Sequence, residues 1–245
     1  MKQLLETSNR ILVGGHRGCL RSYQENTQKA MEEGIARGAD YLEIDIQFTK
    51  DNQIVIYHDT CLEDKLKLIG CTSDYTLDAL RKYTEINTLD EILAWGKSRS
   101  LYFGLELKEV PVQMQELSMK MLPSLIRCIK KYEMLQNAFV FGADYQVLKA
   151  LKELEKQLMI GIIVPFVPYN PVALMQEMDA SIYISYVYNL TLNIVKNLKD
   201  NGYYVNGSTL NTNRSMELAL SLGVNMIEVD DPYTWKEFLL NKNGK

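Results

Sequence analysis

Short apolar runs alternate with helical segments from Ile11 to the end of the chain, and this alternation constrains the fold more than any other feature. Residues 11–13, Ile-Leu-Val, are ended by Gly14-Gly15 and read as a strand. Glu25 to Arg37 carries helical spacing in Ala30, Met31, Gly34 and Ile35 and stops at Gly38, a residue suited to ending a helix. Tyr41 to Phe48 has period two, with Leu42, Ile44, Ile46 and Phe48 on one face and Glu43, Asp45 and Gln47 on the other, so it reads as a strand. Gln53 to Tyr57 is a further extended run. Leu77 to Tyr83 and Thr88 to Gly96 read as short helices, the second opened by a Thr88/Glu91 capping box.

The second half repeats the theme. Strands are expected over Leu101–Leu107, Ala138–Phe141, Met159–Val164, Ile182–Ser185, Tyr203–Val205 and Met226–Val229. Helices are expected over Val112–Tyr132, Tyr145–Gln157, Leu192–Asp200, Ser215–Leu222 and Trp235–Leu240, and Pro165, Pro168 and Pro171 mark a loop. Strands separated by helices are parallel neighbours joined by right-handed crossovers. About eight such units fit one (β/α)8 TIM barrel better than a doubly wound sheet, the alternative, and the Gly-x-Gly-x-x-Gly fingerprint is missing after the first strand.

Composition agrees. The 245 residues are 47% hydrophobic and 24% charged, an ordinary globular balance able to bury a core without disulfides. A net charge of −4 argues against nucleic acid as a partner. Cys19, Cys61, Cys71 and Cys128 are scattered and read as free thiols of a cytoplasmic protein. The N-terminal apolar stretch is too short for a signal peptide, and no stretch is long enough to insert stably in a membrane. A homo-oligomer is left open, as is a role for the apolar loop Ile163–Tyr169 at an interface or over a site mouth.

Only two histidines occur, His16 and His58. In a barrel of this type, active sites gather at the C-terminal ends of the strands. His16 and Arg17 follow the first strand, His58 and Asp59 end the extended run after the second, and Glu43/Asp45 and Glu106/Lys108 each lie two apart on strands. Taken singly, each has a plain structural reading: an edge strand's solvent face, a surface ion pair, a turn. Their coincidence at matching positions favours a site. Both faces of a barrel strand are covered, so Glu43, Asp45 and Glu106 would repel one another at a high desolvation cost. A hard divalent cation, Mg²⁺ or Ca²⁺, resolves this better than zinc. Two imidazoles, a cation, Arg17 and Lys108 together suit cleavage of an anionic phosphodiester, with one histidine as base and the other as acid.

His16-Arg17-Gly18, Glu25-Asn26-Thr27, Gly38-Ala39-Asp40 with Glu43 and Asp45, Thr49-x-Asp51, His58-Asp59, Glu106-x-Lys108, Gly223-Val224 and Asp230-x-Pro232 together resemble the glycerophosphodiester phosphodiesterase family, densely over residues 11–59 and thinly to about 235. The resemblance implies one barrel domain over residues 1–245 with a small insertion after the second barrel strand, here residues 60–88. It implies hydrolysis of a small-molecule glycerophosphodiester to glycerol 3-phosphate and an alcohol, with the glycerol 2-hydroxyl attacking phosphorus first. It implies that His16 and His58 are the acid and base, that Glu43, Asp45 and Glu106 ligate Ca²⁺ or Mg²⁺, and that Arg17 and Lys108 contact phosphate. The chain departs from the family pattern at Asp64-Lys65-Leu66, at Gly142-Ala143 and at Ser208-Thr209. The last replaces a Trp-Thr pair and removes an aromatic wall, for which Tyr186 or Tyr188 are the candidate substitutes. Two other readings stay open: a phosphodiesterase acting on lysophospholipids or another diester, and a non-catalytic phosphate-binding barrel.

Overall fold

A computed structural model describes residues 1–110 and 115–243. The first quarter contains α1 (Lys2–Thr7), β1 (Leu12–Gly15), α2 (Gln28–Ala36), β2 (Tyr41–Phe48) and β3 (Ile54–Ile56). Three short helices follow, α3 (Glu63–Leu66), α4 (Leu77–Leu80) and α5 (Leu89–Lys97), and then β4 (Phe103–Leu107). From there strand and helix alternate strictly. The order is α6 (Gln115–Lys131), β5 (Ala138–Gly142), α7 (Tyr145–Leu154), β6 (Met159–Ile163), α8 (Pro171–Met178), β7 (Ile182–Tyr186) and α9 (Leu192–Asp200). The chain ends with β8 (Tyr204–Ser208), α10 (Asn213–Leu222), β9 (Met226–Val229) and α11 (Pro232–Asn243).

All strands except β3 are parallel, in the order β1-β9-β8-β7-β6-β5-β4-β2, and the β1–β2 pairing closes the ring into the expected (β/α)8 barrel. β3 lies outside the ring, paired antiparallel to β2 through Ile46/Ile56 and Phe48/Ile54. It opens an excursion from the ring, with a small core of Val55, Tyr57, Leu62, Leu80 and Ile86.

Strand pleating sorts the side chains. Outward residues such as Leu42, Ile44, Leu105, Val140 and Ile227 pack with the helices in the main core. Inward residues at the strand starts, among them Leu12, Tyr41, Phe139, Ile182 and Met226, form a second core inside the barrel. Met1 and Leu5 join that inner core, so α1 stoppers the N-terminal end of the barrel. The polar N-terminus gave no sign of this helix, because Leu5 is its one buried position.

Caps behave as the residues dictate. Thr88 accepts from Glu91 N at 3.2 Å and donates its own N–H to Glu91 Oε2 at 2.7 Å, the expected capping box. Gly223 ends α10 at φ 64°. Helix α2 starts later than expected, because Thr27 caps it rather than Glu25. The loop expected to run through Pro171 is shorter than the prolines suggest. Asn170 caps α8 and Pro171 takes its first position, where a missing N–H costs nothing. The helix expected over 112–132 is observed as α6, and its expected residues 112–114 lie outside the described residues.

Candidate active site

Polar residues gather at the C-terminal rim. His16 follows β1 directly, and its N–H donates to Val229 O at 3.0 Å, which ties it to β9. Its Nδ1 lies 2.7 Å from Oδ1 of Asp230. Asn211 Nδ2 donates to the other Asp230 oxygen, also at 2.7 Å. Burial pushes the Asp230 carboxyl up, but the hydrogen bonds from His16 and Asn211 outweigh it and hold the group below the usual range. With Asp230 ionised, the contact suits a hydrogen bond donated by His16 Nδ1–H to Oδ1, which leaves Nε2 free of that pairing.

Arg17 and Gly18 turn the chain with φ 52° and 92°. A Cβ on Gly18 would meet the backbone carbon of Ala30 at 2.6 Å, so only glycine lets the turn press against α2. The turn points Arg17 N–H at Glu43 Oε2, 2.8 Å away, and brings the Arg17 guanidinium to Glu25 Oε2 at 2.8 Å and Asp45 Oδ2 at 3.4 Å. Asn26 fixes Asp45 from two sides, donating to Oδ2 at 2.8 Å and accepting from its N–H at 3.2 Å.

Glu43 and Asp45 share the inward face of β2, and Asp45 is register partner to Glu106 on β4. One carboxylate oxygen from each of Glu43, Asp45 and Glu106 lies within 4.8 Å of the others. Glu43 and Asp45 are each 1% exposed, so neither forms the solvent face of an edge strand. Lys108 Nζ sits 2.6 Å from Glu106 Oε1 and 3.4 Å from Asp45 Oδ1. Burial and the neighbouring carboxylates Asp45, Glu106 and Glu228 push Glu43 well up. Burial and Asp45 also raise Glu106, although Lys108 and His58 oppose it. Burial would lower Lys108, but Glu106 and Asp45 hold it above the usual lysine value. Oε1 of Glu43 and Oδ1 of Asp45 are buried without a hydrogen-bond partner, in a fold that satisfies most such atoms. An all-oxygen, anionic donor set with orphaned oxygens fits a hard cation such as Ca²⁺ or Mg²⁺.

His58 stands two residues beyond β3, and its Nδ1 lies 2.7 Å from Asp59 Oδ1. The antiparallel return of the chain places it there, since Tyr57 N–H donates to Asp45 O at 3.0 Å. Lys65, from the Asp64-Lys65-Leu66 departure, holds Asp59 at 3.0 Å and also pairs with Glu25. All seven residues read from the sequence are thus on one rim: His16, Arg17, Glu43, Asp45, His58, Glu106 and Lys108.

The sequence reading missed Glu228. It lies 4% exposed on the inward face of β9, accepting from Asn206 Nδ2 at 2.8 Å and Tyr41 OH at 3.3 Å. Burial raises its pKa against the opposing pull of His16 and Asn206. The signal for it was available: Glu228 and Asp230 repeat the two-residue spacing of Glu43/Asp45 and Glu106/Lys108. A cavity of about 150 Å³ opens beside His16, lined by Glu106, Ser185, Tyr186, Ser208, Thr209 and Glu228 among others. Tyr186, the register partner of Ser208, therefore stands where an aromatic wall was expected, and Tyr188 is not among the lining residues. Ile163, Val164 and Pro165, the start of the apolar stretch Ile163–Tyr169, line the same cavity.

Similarity to known proteins agrees with this geometry. A glycerophosphodiester phosphodiesterase of Caldanaerobacter subterraneus subsp. tengcongensis is 28% identical over 237 residues, covering 92% of this chain and 96% of its own. One from Bacillus altitudinis is 25% identical over 235 residues, covering 90% and 94%. Among solved structures, a phosphodiesterase of Oleispira antarctica in complex with the product sn-glycerol-3-phosphate superposes with a TM-score of 0.81 at 20% identity, covering 93% of this chain and 96% of its own. A putative glycerophosphodiester phosphodiesterase of Galdieria sulphuraria gives 0.86 at 21% identity, covering 96% and 100%. The family model described as the glycerophosphoryl diester phosphodiesterase family matches residues 16–234, and the chain belongs to that family.

Proposed function

We propose that this protein hydrolyses glycerophosphodiesters to glycerol 3-phosphate and an alcohol, with a divalent cation at Glu43, Asp45 and Glu106 and with His16 and His58 as general acid and base. The observation that carries the reading is the convergence of two buried carboxylates and a partly buried third on a rim flanked by two histidines, each anchored through Nδ1 by its own aspartate.

When bound, the cation supplies Lewis-acid stabilisation of negative charge on the phosphate. The side chains do the rest. Arg17 and Lys108 add positive charge for a phosphate group, and their existing contacts with Asp45 and Glu106 hold them in place before substrate arrives. The Asp230 and Asp59 contacts leave one Nε2 to take the proton of the attacking hydroxyl and the other to protonate the departing alkoxide. Family membership makes the glycerol 2-hydroxyl the first nucleophile in this reading, with water opening the cyclic phosphate.

Residues 1–245 act as one domain in this reading, with residues 60–88 as its insertion. A cytoplasmic setting accords with the four free thiols. Among the described residues no helix is long and apolar enough to cross a membrane.

A second reading, cleavage of lysophospholipids, is favoured by one observation. Phe166, Val167 and Tyr169 are exposed on the loop that follows the cavity-lining Ile163–Pro165. Assay of glycerophosphocholine against a lysophospholipid, each with Ca²⁺ or Mg²⁺ added, tests both. Turnover of the first, or of glycerophosphoglycerol in the same assay, supports the main reading, turnover of the lysophospholipid alone supports the other, and turnover of none of the three refutes both.

A further inference from the structure

The two histidines line different cavities. His16 belongs to the cavity of about 150 Å³ described above. His58 lines another, of about 550 Å³, between the loop before α2 and the insertion. Leu20 and Tyr23 wall it on the loop side, and Leu66 and Tyr83 on the insertion side.

Two bridges hold those walls together. Gln24 Nε2 donates to Thr84 Oγ1 and Glu85 O, each at 3.0 Å, and Lys65 pairs with Glu25. The second bridge also reaches the chemistry. Glu25 holds the Arg17 guanidinium, and Lys65 holds Asp59, the anchor of His58. The result is an open groove braced across its width and reaching one histidine.

We propose that this cavity is the subsite for the leaving alcohol and that it takes an alcohol without net charge. The proposal rests on the functional reading above. Cavity size supports the first half: the His16 cavity is the smaller, and the His58 cavity has room for a variable group. Charge supports the second half. Glu25 is neutralised by Arg17 and Lys65, and Lys65 by Glu25 and Asp59, so the slot offers no unpaired charge among these groups. A charged alcohol of either sign would find no unpaired counter-charge among these groups to repay its desolvation. A neutral polyol can lay its C–H faces on Tyr23 and Tyr83, which are 46% and 57% exposed.

The test compares kcat/KM for glycerophosphoglycerol with that for the methyl diester of glycerol phosphate, which has almost no leaving group to bind. The ratio is taken within each protein, so partial misfolding cancels. Leu66→Trp, which fills the slot, is expected to lower the ratio by about tenfold or more. Tyr83→Ala, which strips one wall, is expected to lower it by about fivefold. A ratio that stays at the wild-type value in both variants overturns the subsite. Wild-type enzyme that hydrolyses neither diester with Ca²⁺ or Mg²⁺ present overturns the functional reading itself, a different result. The charge assignment is read on wild-type enzyme: glycerophosphoglycerol is expected to exceed glycerophosphocholine in kcat/KM, and the reverse order refutes it, because ring faces then outweigh the cation's desolvation.

Discussion

His16 Nδ1 lies 2.7 Å from Asp230 Oδ1, although 214 positions separate the two residues in the chain. The contact exists because β1 and β9 are neighbours in the closed ring, so their C-terminal ends deliver both side chains to one place. Asp230→Asn keeps the shape and removes the charge that fixes the imidazole. It is expected to lower kcat by about 10- to 100-fold with little change in KM, and to shift the pH–rate profile. A KM effect alone in steady-state assays would show that Asp230 serves binding instead.

The histidines themselves are expected to matter more. His16→Ala and His58→Ala should each cut turnover by about a hundredfold or more while circular dichroism spectra stay those of the wild type. Near-normal rates in both variants would remove the acid–base assignment.

Chelation tests the carboxylates. Exhaustive EDTA treatment is expected to abolish activity, and Ca²⁺ or Mg²⁺ to restore it. Glu43→Gln, Asp45→Asn and Glu106→Gln should each weaken cation binding by about tenfold or more in calorimetric titrations. Activity that survives chelation would take the cation out of the mechanism.

Burial raises the Glu228 carboxyl, which lines the His16 cavity. Glu228→Gln keeps the partners Asn206 and Tyr41 satisfied and should leave thermal stability nearly unchanged. Glu228→Leu strands both and should cost about 1–3 kcal/mol in urea titrations. Equal losses in the two variants would point to shape, not hydrogen bonding.

Asp231 carries the pH dependence of a structural ion pair. Burial pushes its carboxyl up, but Arg37, bonded through NH2 at 2.7 Å, outweighs that and holds it below the usual range. A depressed carboxyl stabilises the fold above its unfolded value of about 3.9, and the gain is lost as pH falls through the lower folded value. Asp231→Asn should therefore cost about 1 kcal/mol at neutral pH, with the gap to wild type closing in acid below about pH 3.9. Thermal melts from pH 7 to pH 3 measure it, and a gap independent of pH would assign the loss to packing.

Much of the molecule is legible in the chain itself. Short apolar runs mark nearly every barrel strand, and both such a run and the alternation along Tyr41–Phe48 are properties of consecutive residues. The seven candidate residues are legible too, since ionisable groups on or just past otherwise apolar strands have few structural uses. What escapes is anything set by partners remote in sequence. Helix α1 is recognised only by the barrel end that Met1 and Leu5 close. Pro171 reads as a loop until Asn170 is seen capping a helix in front of it.

The sequence by itself determined the alternating elements, the parallel α/β class that they build, and which residue types stand at strand ends. Only the tertiary structure decided who meets whom there. Ring closure joins His16 to Asp230, the β2–β4 register sets Asp45 beside Glu106, and the insertion brings Lys65 onto Glu25 and Asp59. The physical reason is that such charges are tolerable under burial only with partners within a few ångströms, and those distances are fixed by packing, which residue spacing along a strand does not encode.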